Sequence, residues 1–250
     1  MAARDAVARF VDPTEAAADA LAERYLPWRT RDVLADFLQV RLPGNAALVS
    51  SFGADSAVLL HLVASIDQAV PVIFIDTGKL FASTKEYRDA LVARLGLSDL
   101  RVARPSPIAL AEADRSSDLW LRDPDSCCGI RKVAPLARAL APFQGWVSGR
   151  KRYQGGLRQA LPLVEADGRR LKLNPLAAWS ADDVANYRRL HDLPEHPLVA
   201  DGYRSVGCMP CTQRVASGEG DREGRWRGTG KTECGIHLGL AAWQNDGSGI

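Results

Sequence analysis

Five cysteines are the residues of this chain best suited to metal binding or covalent chemistry. Four of them form two close pairs, Cys127-Cys128 in "DSCCGIRK" and Cys208-x-x-Cys211 in "CMPCTQR". The fifth, Cys234, stands alone in "GKTECGIH". Thiolates bind zinc and iron, and a thiolate is also a strong nucleophile. The pattern therefore predicts one site built from four cysteines and a fifth cysteine with a separate task.

The four paired cysteines suit either of two metal centres. Tetrahedral zinc and a 4Fe-4S cluster both bind four thiolates. Zinc sites usually contain two spaced C-x-x-C pairs, so the adjacent pair Cys127-Cys128 favours iron and sulfur. Four buried thiols without a ligand are a third interpretation. The glycines, proline and basic residues around the pairs disfavour it, because they are typical of loops.

A predicted phosphate-binding turn lies in "LVSSFGADSAVLLHL", residues 48–62. A strand pattern leads into a Ser/Gly turn and then into a helix, whose first N–H groups attract anions. The S-x-G-x-D-S spacing lacks the G-K-[ST] of a Walker loop. A plain turn between strand and helix is the alternative. The candidate ligands in this turn are Ser51, Phe52, Gly53, Asp55 and Ser56.

The elements that must position these residues follow an alternating pattern. Short apolar runs, typical of buried strands, lie at 46–50, 70–76, 100–104, 145–149 and 171–174. Helical patterns between and after them lie at 55–65, 83–96 and 132–143. The alternation predicts an α/β fold with a doubly wound, mostly parallel sheet. Ligands bind at the carboxyl ends of such strands, where the second run ends in Asp76, Thr77 and Gly78.

Three regions are expected along the chain. They are a helical region at 1–44, an α/β nucleotide-binding domain at 45–215 and an arm at 216–250. The arm is rich in glycine and shows no hydrophobic period, so we expect it to be mobile and not packed. Cys234 lies in this arm.

Composition excludes several classes of protein. The 250 residues are 46% hydrophobic and 25% charged with a net charge of +2, which is typical of a globular protein and does not indicate a nucleic-acid partner. We find no signal peptide and no apolar run long enough for a membrane span. We therefore expect a cytoplasmic protein, whose paired cysteines bind metal or act in catalysis and do not form disulfides.

The motifs together resemble the assimilatory adenylyl-sulfate (adenosine 5′-phosphosulfate) reductases, in the subset of the phosphoadenylyl-sulfate and adenylyl-sulfate reductases that carries a 4Fe-4S cluster. The segments run in order from about 45 to 238: "SSFGADS", "IDTGKLF", "CCGIRK", "CMPCTQR", "DREGRW" and "KTECGIH". The first is also similar to the SGGxDS loop of the ATP pyrophosphatases, with Phe52 replacing a glycine. The resemblance implies a fold like that of the adenine nucleotide alpha hydrolases.

The same resemblance implies a reaction and its partners. Cys234 would attack the sulfur of adenosine 5′-phosphosulfate, release AMP and carry an S-sulfo group. A dithiol donor, thioredoxin or a glutaredoxin-like protein, would then release sulfite. One 4Fe-4S cluster per chain would be held by the two cysteine pairs, and a homo-oligomer is implied as well.

The resemblance further implies a set of substrate-binding residues. They are Lys132, Lys151, Arg152, Gln154, Arg158, Arg222, Arg225 and His237. Lys151 replaces an arginine of the family pattern, and Arg158 corresponds only if one residue is deleted. Without the resemblance, the arginines of the arm would be interpreted as solvated charges on a loop. No role follows for Glu233.

Three other functions remain open from the sequence. The same reaction on 3′-phosphoadenosine 5′-phosphosulfate is one. A tRNA-thiolating iron-sulfur enzyme is another, although Phe52 interrupts the loop that it would need and the net charge is balanced. A zinc-binding module is the third, which would explain four cysteines but not Cys234.

Overall fold

A six-stranded sheet forms the centre of the fold in the computed structural model, which describes residues 13–237. The strands are β1 (Ala46–Val49), β2 (Val72–Ile75), β3 (Leu100–Ala103), β4 (Gly145–Ser148), β5 (Val164–Asp167) and β6 (Arg170–Leu173). Their order is β3-β2-β1-β4-β6-β5. All neighbouring strands are parallel except β5, which pairs with β6 in the antiparallel direction. The predicted mostly parallel sheet is thus confirmed.

Helices connect the strands and cover the sheet. Within the described residues the α-helices are α1 (Pro13–Tyr25), α2 (Thr30–Ala35), α3 (Ser56–Ala64), α4 (Ala82–Leu95), α5 (Pro107–Ala113), α6 (Leu119–Arg122), α7 (Pro124–Cys128), α8 (Ala134–Ala139) and α9 (Ala181–Leu190). Two π-helical segments, Asp36–Arg41 and Gly129–Val133, continue α2 and α7. None of these helices is long and apolar enough to cross a membrane.

Each face of the sheet carries a hydrophobic core. Successive strand residues point to opposite faces, so Leu48 and Phe74 lie in a larger core, whereas Ala47 and Ile73 lie in a smaller one. Helices α3, α4 and α9 pack on the larger core, and α8 packs on the smaller core through Leu136. Burial on both faces explains why the strands β1 and β2 are continuous apolar runs.

The N-terminal helices join the larger core. Tyr25 and Phe37 are almost fully buried there, and the Tyr25 hydroxyl donates to Asp36 Oδ2 at 2.7 Å. The part of the predicted 1–44 region that the structure describes therefore shares its core with the sheet. Its treatment as a separate region stays a prediction.

Two local elements differ from the predicted pattern. The strand β5, "VEAD", is missed because it lies at the edge of the sheet and contains two acids. The helix expected at 132–143 begins earlier, at Pro124, where the Asp123 side chain caps it by accepting hydrogen bonds from two backbone N–H groups. This earlier start puts Cys127 and Cys128 on a helix and not in a loop.

Candidate active site

A cavity of about 220 Å³ lies at the carboxyl ends of the parallel strands. Val49, Ile75 and Ser148, the last residues of β1, β2 and β4, line its floor. The turn after β1 and the arm form its walls. In open α/β sheets, ligands bind at the carboxyl ends of the strands, at the point where the strand order reverses. In this sheet that point is β1, which lies between β2 and β4.

The turn after β1 contributes all but one of its predicted ligands to the cavity. The lining includes Ser51, Gly53, Asp55 and Ser56. Phe52 instead turns its fully buried ring into the larger core, where it meets Phe74 edge-on at 5.5 Å between ring centroids. Its φ of 48° is a conformation that favours glycine. Burial of the ring offsets that backbone strain, which explains how a phenylalanine takes the place of the glycine.

Of the three predicted residues after β2, one lines the cavity and two form the turn that holds it. Thr77 lines the cavity, and its Oγ1 lies 3.2 Å from Cys208 Sγ. Asp76 and Gly78 are not among the lining residues; Asp76 Oδ1 accepts a hydrogen bond of 3.1 Å from the Gly78 N–H. Gly78 has a φ of 72°, so this tight turn needs a glycine. The two residues shape the turn that presents Thr77.

The four paired cysteines surround one small second cavity, which we call the thiol cavity. Cys127, Cys128, Cys208 and Cys211 all line it. The Cys127-Cys128 pair lies at the end of α7, where the π-helical segment begins, and such irregular turns are frequent at functional sites. The Cys208–Cys211 turn is held beside it because the Met209 N–H donates to the Lys79 carbonyl at 2.8 Å. The structure therefore brings both pairs together, as the spacing predicts.

The donor set of the thiol cavity consists of four thiols. Within residues 13–237, no three His, Cys, Asp or Glu side chains lie close enough together to hold one metal ion. Four sulfur donors nevertheless face one cavity. Burial raises the pKa of Cys127 and of Cys128 to about 11, so both must lose a proton before they bind a metal.

Lys132 and Cys208 line both cavities and separate them. Burial opposes the positive charge of Lys132, but nearby thiolates, Cys208 and Cys234 foremost, outweigh that effect and raise its pKa. Burial alone would raise the pKa of Cys208. The charge of Lys132 and the hydrogen bond with the Thr77 hydroxyl outweigh this effect, so the pKa of Cys208 is lowered. The two side chains thus stabilise each other's charged forms.

The segment after β4 brings cations to the cavity. Lys151, which is almost fully buried, places Nζ 2.9 Å from Asp55 Oδ2, the carboxylate at the start of α3. Arg150, which the sequence prediction did not include, also lines the cavity and pairs with Glu165. Its position directly after Gly149 at the end of β4 was the available signal. Arg152 is exposed and donates from Nε to the Leu161 carbonyl at 2.8 Å, so the structure does not place it at the cavity.

The arm is packed, contrary to the prediction, as far as the structure describes it. Trp226 is only 4% exposed, and Ile236 packs against the smaller core. The ring of His237 stacks on that of Trp146, with 5.7 Å between centroids and 10° between planes. These contacts involve single residues without a period, which is why the sequence does not reveal them. Residues 238–250 of the predicted arm lie outside the described residues, and its mobility stays a prediction.

Glu233 lies at the centre of the charges that the arm brings. Arg158 donates to it through two nitrogens, Nε to Oε1 at 2.6 Å and Nη2 to Oε2 at 3.0 Å. Arg222 Nη2 lies 3.3 Å from Oε2. Burial opposes the charge of Glu233, but the hydrogen bonds and charges of these arginines outweigh it and lower its pKa. Glu233 is therefore ionised, which gives this residue the structural role that its sequence position did not indicate.

Cys234 lines the cavity directly beside this ion pair. Its side chain is partly exposed, whereas the four paired cysteines have a different cavity in common. Cys234 therefore lies outside the thiol cavity, whereas Cys208 lines both cavities.

Several residues that line the same cavity contain unpaired polar atoms. Among the described residues, buried side-chain nitrogens without a hydrogen-bond partner occur in Arg150, Arg225, Trp226 and His237, and all four residues line it. Buried polar atoms normally have a hydrogen-bond partner, so these four nitrogens need a partner that the described residues do not supply. Burial, and then the charge of Lys172, lower the pKa of His237 well below its ordinary value, so its ring is neutral.

Most of the predicted substrate-binding residues thus line the cavity. Besides the turn after β1 and Thr77, it collects Lys132, Lys151, Gln154, Arg158, Arg222, Arg225 and His237. It does not collect Phe52, Asp76, Gly78 or Arg152. An anionic ligand with several oxygen acceptors fits this lining.

Comparison with known proteins gives one family. The model of the phosphoadenosine phosphosulfate reductase domain matches residues 45–214. The chain is 57% identical over 203 residues to the adenosine 5′-phosphosulfate reductase of Mesorhizobium japonicum, covering 81% of this chain and 80% of the relative. It is 44% identical over 195 residues to the adenosine 5′-phosphosulfate reductase of Mycobacterium tuberculosis, covering 76% of this chain and 75% of the relative.

Solved structures show the same fold. The phosphoadenylyl-sulfate reductase of Candida auris, in complex with phosphate, has a TM-score of 0.67 at 24% identity and covers 82% of this chain and 99% of that chain. Yeast FAD synthetase in complex with FAD has a TM-score of 0.53 at 18% identity and covers 82% of this chain and 69% of that chain. The predicted likeness to the adenine nucleotide alpha hydrolases is confirmed at the level of the fold.

Replacing Arg150 by Gln should weaken binding of adenosine 5′-phosphosulfate about 10-fold to 100-fold, because hydrogen bonds to charged groups contribute about 1.5–3 kcal/mol each. Calorimetric titration of the Arg150→Gln protein in a Cys234→Ser background, which prevents turnover, measures the change. Arg152→Gln is the matched control and should bind as tightly as the parent. Equal losses in the two variants would contradict the placement of Arg150.

Proposed function

The chain belongs to the phosphoadenosine phosphosulfate reductase family, and from this membership we propose that it reduces adenosine 5′-phosphosulfate to sulfite and AMP in assimilatory sulfate reduction. The activity class is an oxidoreductase that acts on a sulfur group. The observation that carries the proposal is the position of Cys234, which lies in a cation-lined cavity at the nucleotide-binding edge of the sheet.

The cavity suits the phosphosulfate group of this substrate. Arginine forks bind phosphate and sulfate oxygens through two nitrogens at once, and Arg158, Arg222 and Arg225 all line the cavity. The unpaired Nε–H group of Arg225 adds a donor for these oxygens. The turn after β1 leads into α3, whose N-terminus favours a negative group. We infer that the nucleotide phosphate lies near this turn and the sulfate lies toward Cys234.

In the first step the Cys234 thiolate attacks the sulfate sulfur. An S–S bond forms, the bond between the sulfur and the bridging phosphate oxygen breaks, and AMP leaves with the electron pair of that bond. Lys132 and the arginines stabilise the charge that develops on the leaving phosphate and on the sulfonate oxygens. The product on the protein is an S-sulfocysteine.

In the second step a dithiol protein, which we propose to be thioredoxin, reduces this intermediate. One of its thiolates attacks the Cys234 sulfur and releases sulfite, and its second thiol then resolves the mixed disulfide. The dithiol supplies both electrons, so that no nicotinamide is required. Cys234 must face the cavity in the first step and the donor in the second, and we propose that the arm moves between the two.

We propose one 4Fe-4S cluster per chain as the resident cofactor of the thiol cavity. Its ligands would be Cys127, Cys128, Cys208 and Cys211, because these four sulfur donors face one cavity. With four cysteine ligands, such a cluster supplies a localised charge behind the substrate and no open iron for binding it. Lys132 lies between the thiol cavity and the cavity at the carboxyl ends of the strands, which we call the substrate cavity. Its ammonium group therefore offsets negative charge on both sides.

The remaining expectations complete the proposal. All five cysteines are free thiols in the structure, which accords with the reducing cytoplasm as the compartment. We propose no nucleic-acid partner, because the net charge of +2 does not indicate one. A homo-oligomer remains part of the proposal through the resemblance alone.

Replacing Cys234 by Ser should abolish sulfite release while the cluster absorbance and the thermal stability stay unchanged, because Cys234 does not line the thiol cavity. Sulfite assay and visible absorbance spectroscopy on the same preparation measure both properties. Cys211→Ser is the control, which should lose the cluster chromophore. Loss of that chromophore in Cys234→Ser would contradict the division of the five cysteines.

Protein purified without oxygen should contain four iron atoms and four acid-labile sulfides per chain, as expected for a 4Fe-4S centre. Elemental analysis and sulfide determination measure the content. One zinc per chain without sulfide would contradict the cofactor proposal and would leave the sulfonucleotide chemistry to be tested separately.

A further inference from the structure

Glu233 forms a buried link between the arm and the domain. It precedes Cys234 directly, and 9% of its surface is exposed. Its carboxylate accepts two hydrogen bonds from Arg158, a residue of the Gly156–Arg158 turn that follows β4. Arg222 of the arm approaches the same carboxylate at 3.3 Å. The paired nitrogens of Arg158 give this contact a defined orientation, which a single point charge would not.

Cys234 lies between two anchors of the arm. On one side is the Glu233 ion pair, and on the other Gly235 turns the chain with a φ of 87°. Beyond this turn, Ile236 packs against the smaller core and His237 stacks on Trp146. Neighbouring Cα atoms are about 3.8 Å apart, so fixing the residues on both sides of Cys234 restricts where its sulfur can lie.

We propose that Glu233 is a positioning residue whose ion pair with Arg158 holds Cys234 toward the substrate cavity, and that this pair must open before Cys234 faces the dithiol donor. The inference rests on the proposed function. We call the ion pair between Glu233 and Arg158 the latch of the arm. Removing one charge of a buried ion pair is strongly destabilising, because the other charge then stays buried without a partner. Neutralising Glu233 therefore releases the latch.

The latch differs from the exposed ion pair of the same arm. Glu219 accepts a hydrogen bond of 2.7 Å from Arg227, and both side chains are partly exposed. Neither residue lines the substrate cavity. Exposed pairs contribute little to stability, so this pair provides a matched control on the same segment.

The first test needs no substrate. Alkylation of Cys234 by iodoacetamide in the cluster-loaded, ligand-free protein is followed by peptide mass spectrometry. Glu233→Gln should raise the alkylation rate several-fold, since Cys234 leaves the cavity more often, whereas Glu219→Gln should leave it unchanged. Arg158→Gln, which breaks the same pair from the other side, should also raise the rate. Unchanged alkylation in both latch variants would overturn the proposal.

The second test separates the two chemical steps. In single turnover without a dithiol, Glu233→Gln should release AMP about 10-fold to 100-fold more slowly, which is the cost expected of a misplaced reacting group. Reduction of the isolated S-sulfo protein by a dithiol should be as fast as in the parent or faster. If both steps slowed equally, Glu233 would be merely structural. If only the latch were wrong, Cys234→Ser would still abolish sulfite release, so the proposed function and the latch fail separately.

Discussion

Repulsion among cations that share one buried cavity is the constraint on which this site depends. Bringing several ammonium and guanidinium groups out of water requires nearby negative charge. Three ion pairs supply this charge: Asp55 with Lys151, Glu165 with Arg150, and Glu233 with Arg158. Burial, and then the charge of Arg158, lower the pKa of Arg222 to about 10, so part of the repulsion remains.

This constraint explains how the fold and the site depend on each other. Each carboxylate comes from a different part of the chain: Asp55 from the turn after β1, Glu165 from the edge strand β5 and Glu233 from the arm. The cations therefore assemble only when the sheet, its antiparallel edge strand and the arm are all in place. An anionic substrate completes the balance, because it adds negative charge where donors such as Arg225 Nε have no partner in the described part of the chain.

The sequence predicted those features that are local or periodic. Strands buried on both faces give continuous apolar runs, as in β2. The grouping of four cysteines also followed from spacing. Contacts between distant segments could not be predicted in this way. The edge strand β5, the packing of Trp226 and the ion pair of Glu233 are determined by tertiary contacts that leave no period in the sequence.

Labelling of the protein with substrate that contains radioactive sulfur tests the central claim most directly. The cluster-loaded protein is mixed with labelled adenosine 5′-phosphosulfate in the absence of any dithiol, and its peptides are then mapped by mass spectrometry. The account predicts one sulfonate on the peptide that carries Cys234, formed in equal amount to AMP, with full release as sulfite when a dithiol is added. Label on a peptide with Cys127, Cys128, Cys208 or Cys211, or AMP formation without labelled protein, would contradict it.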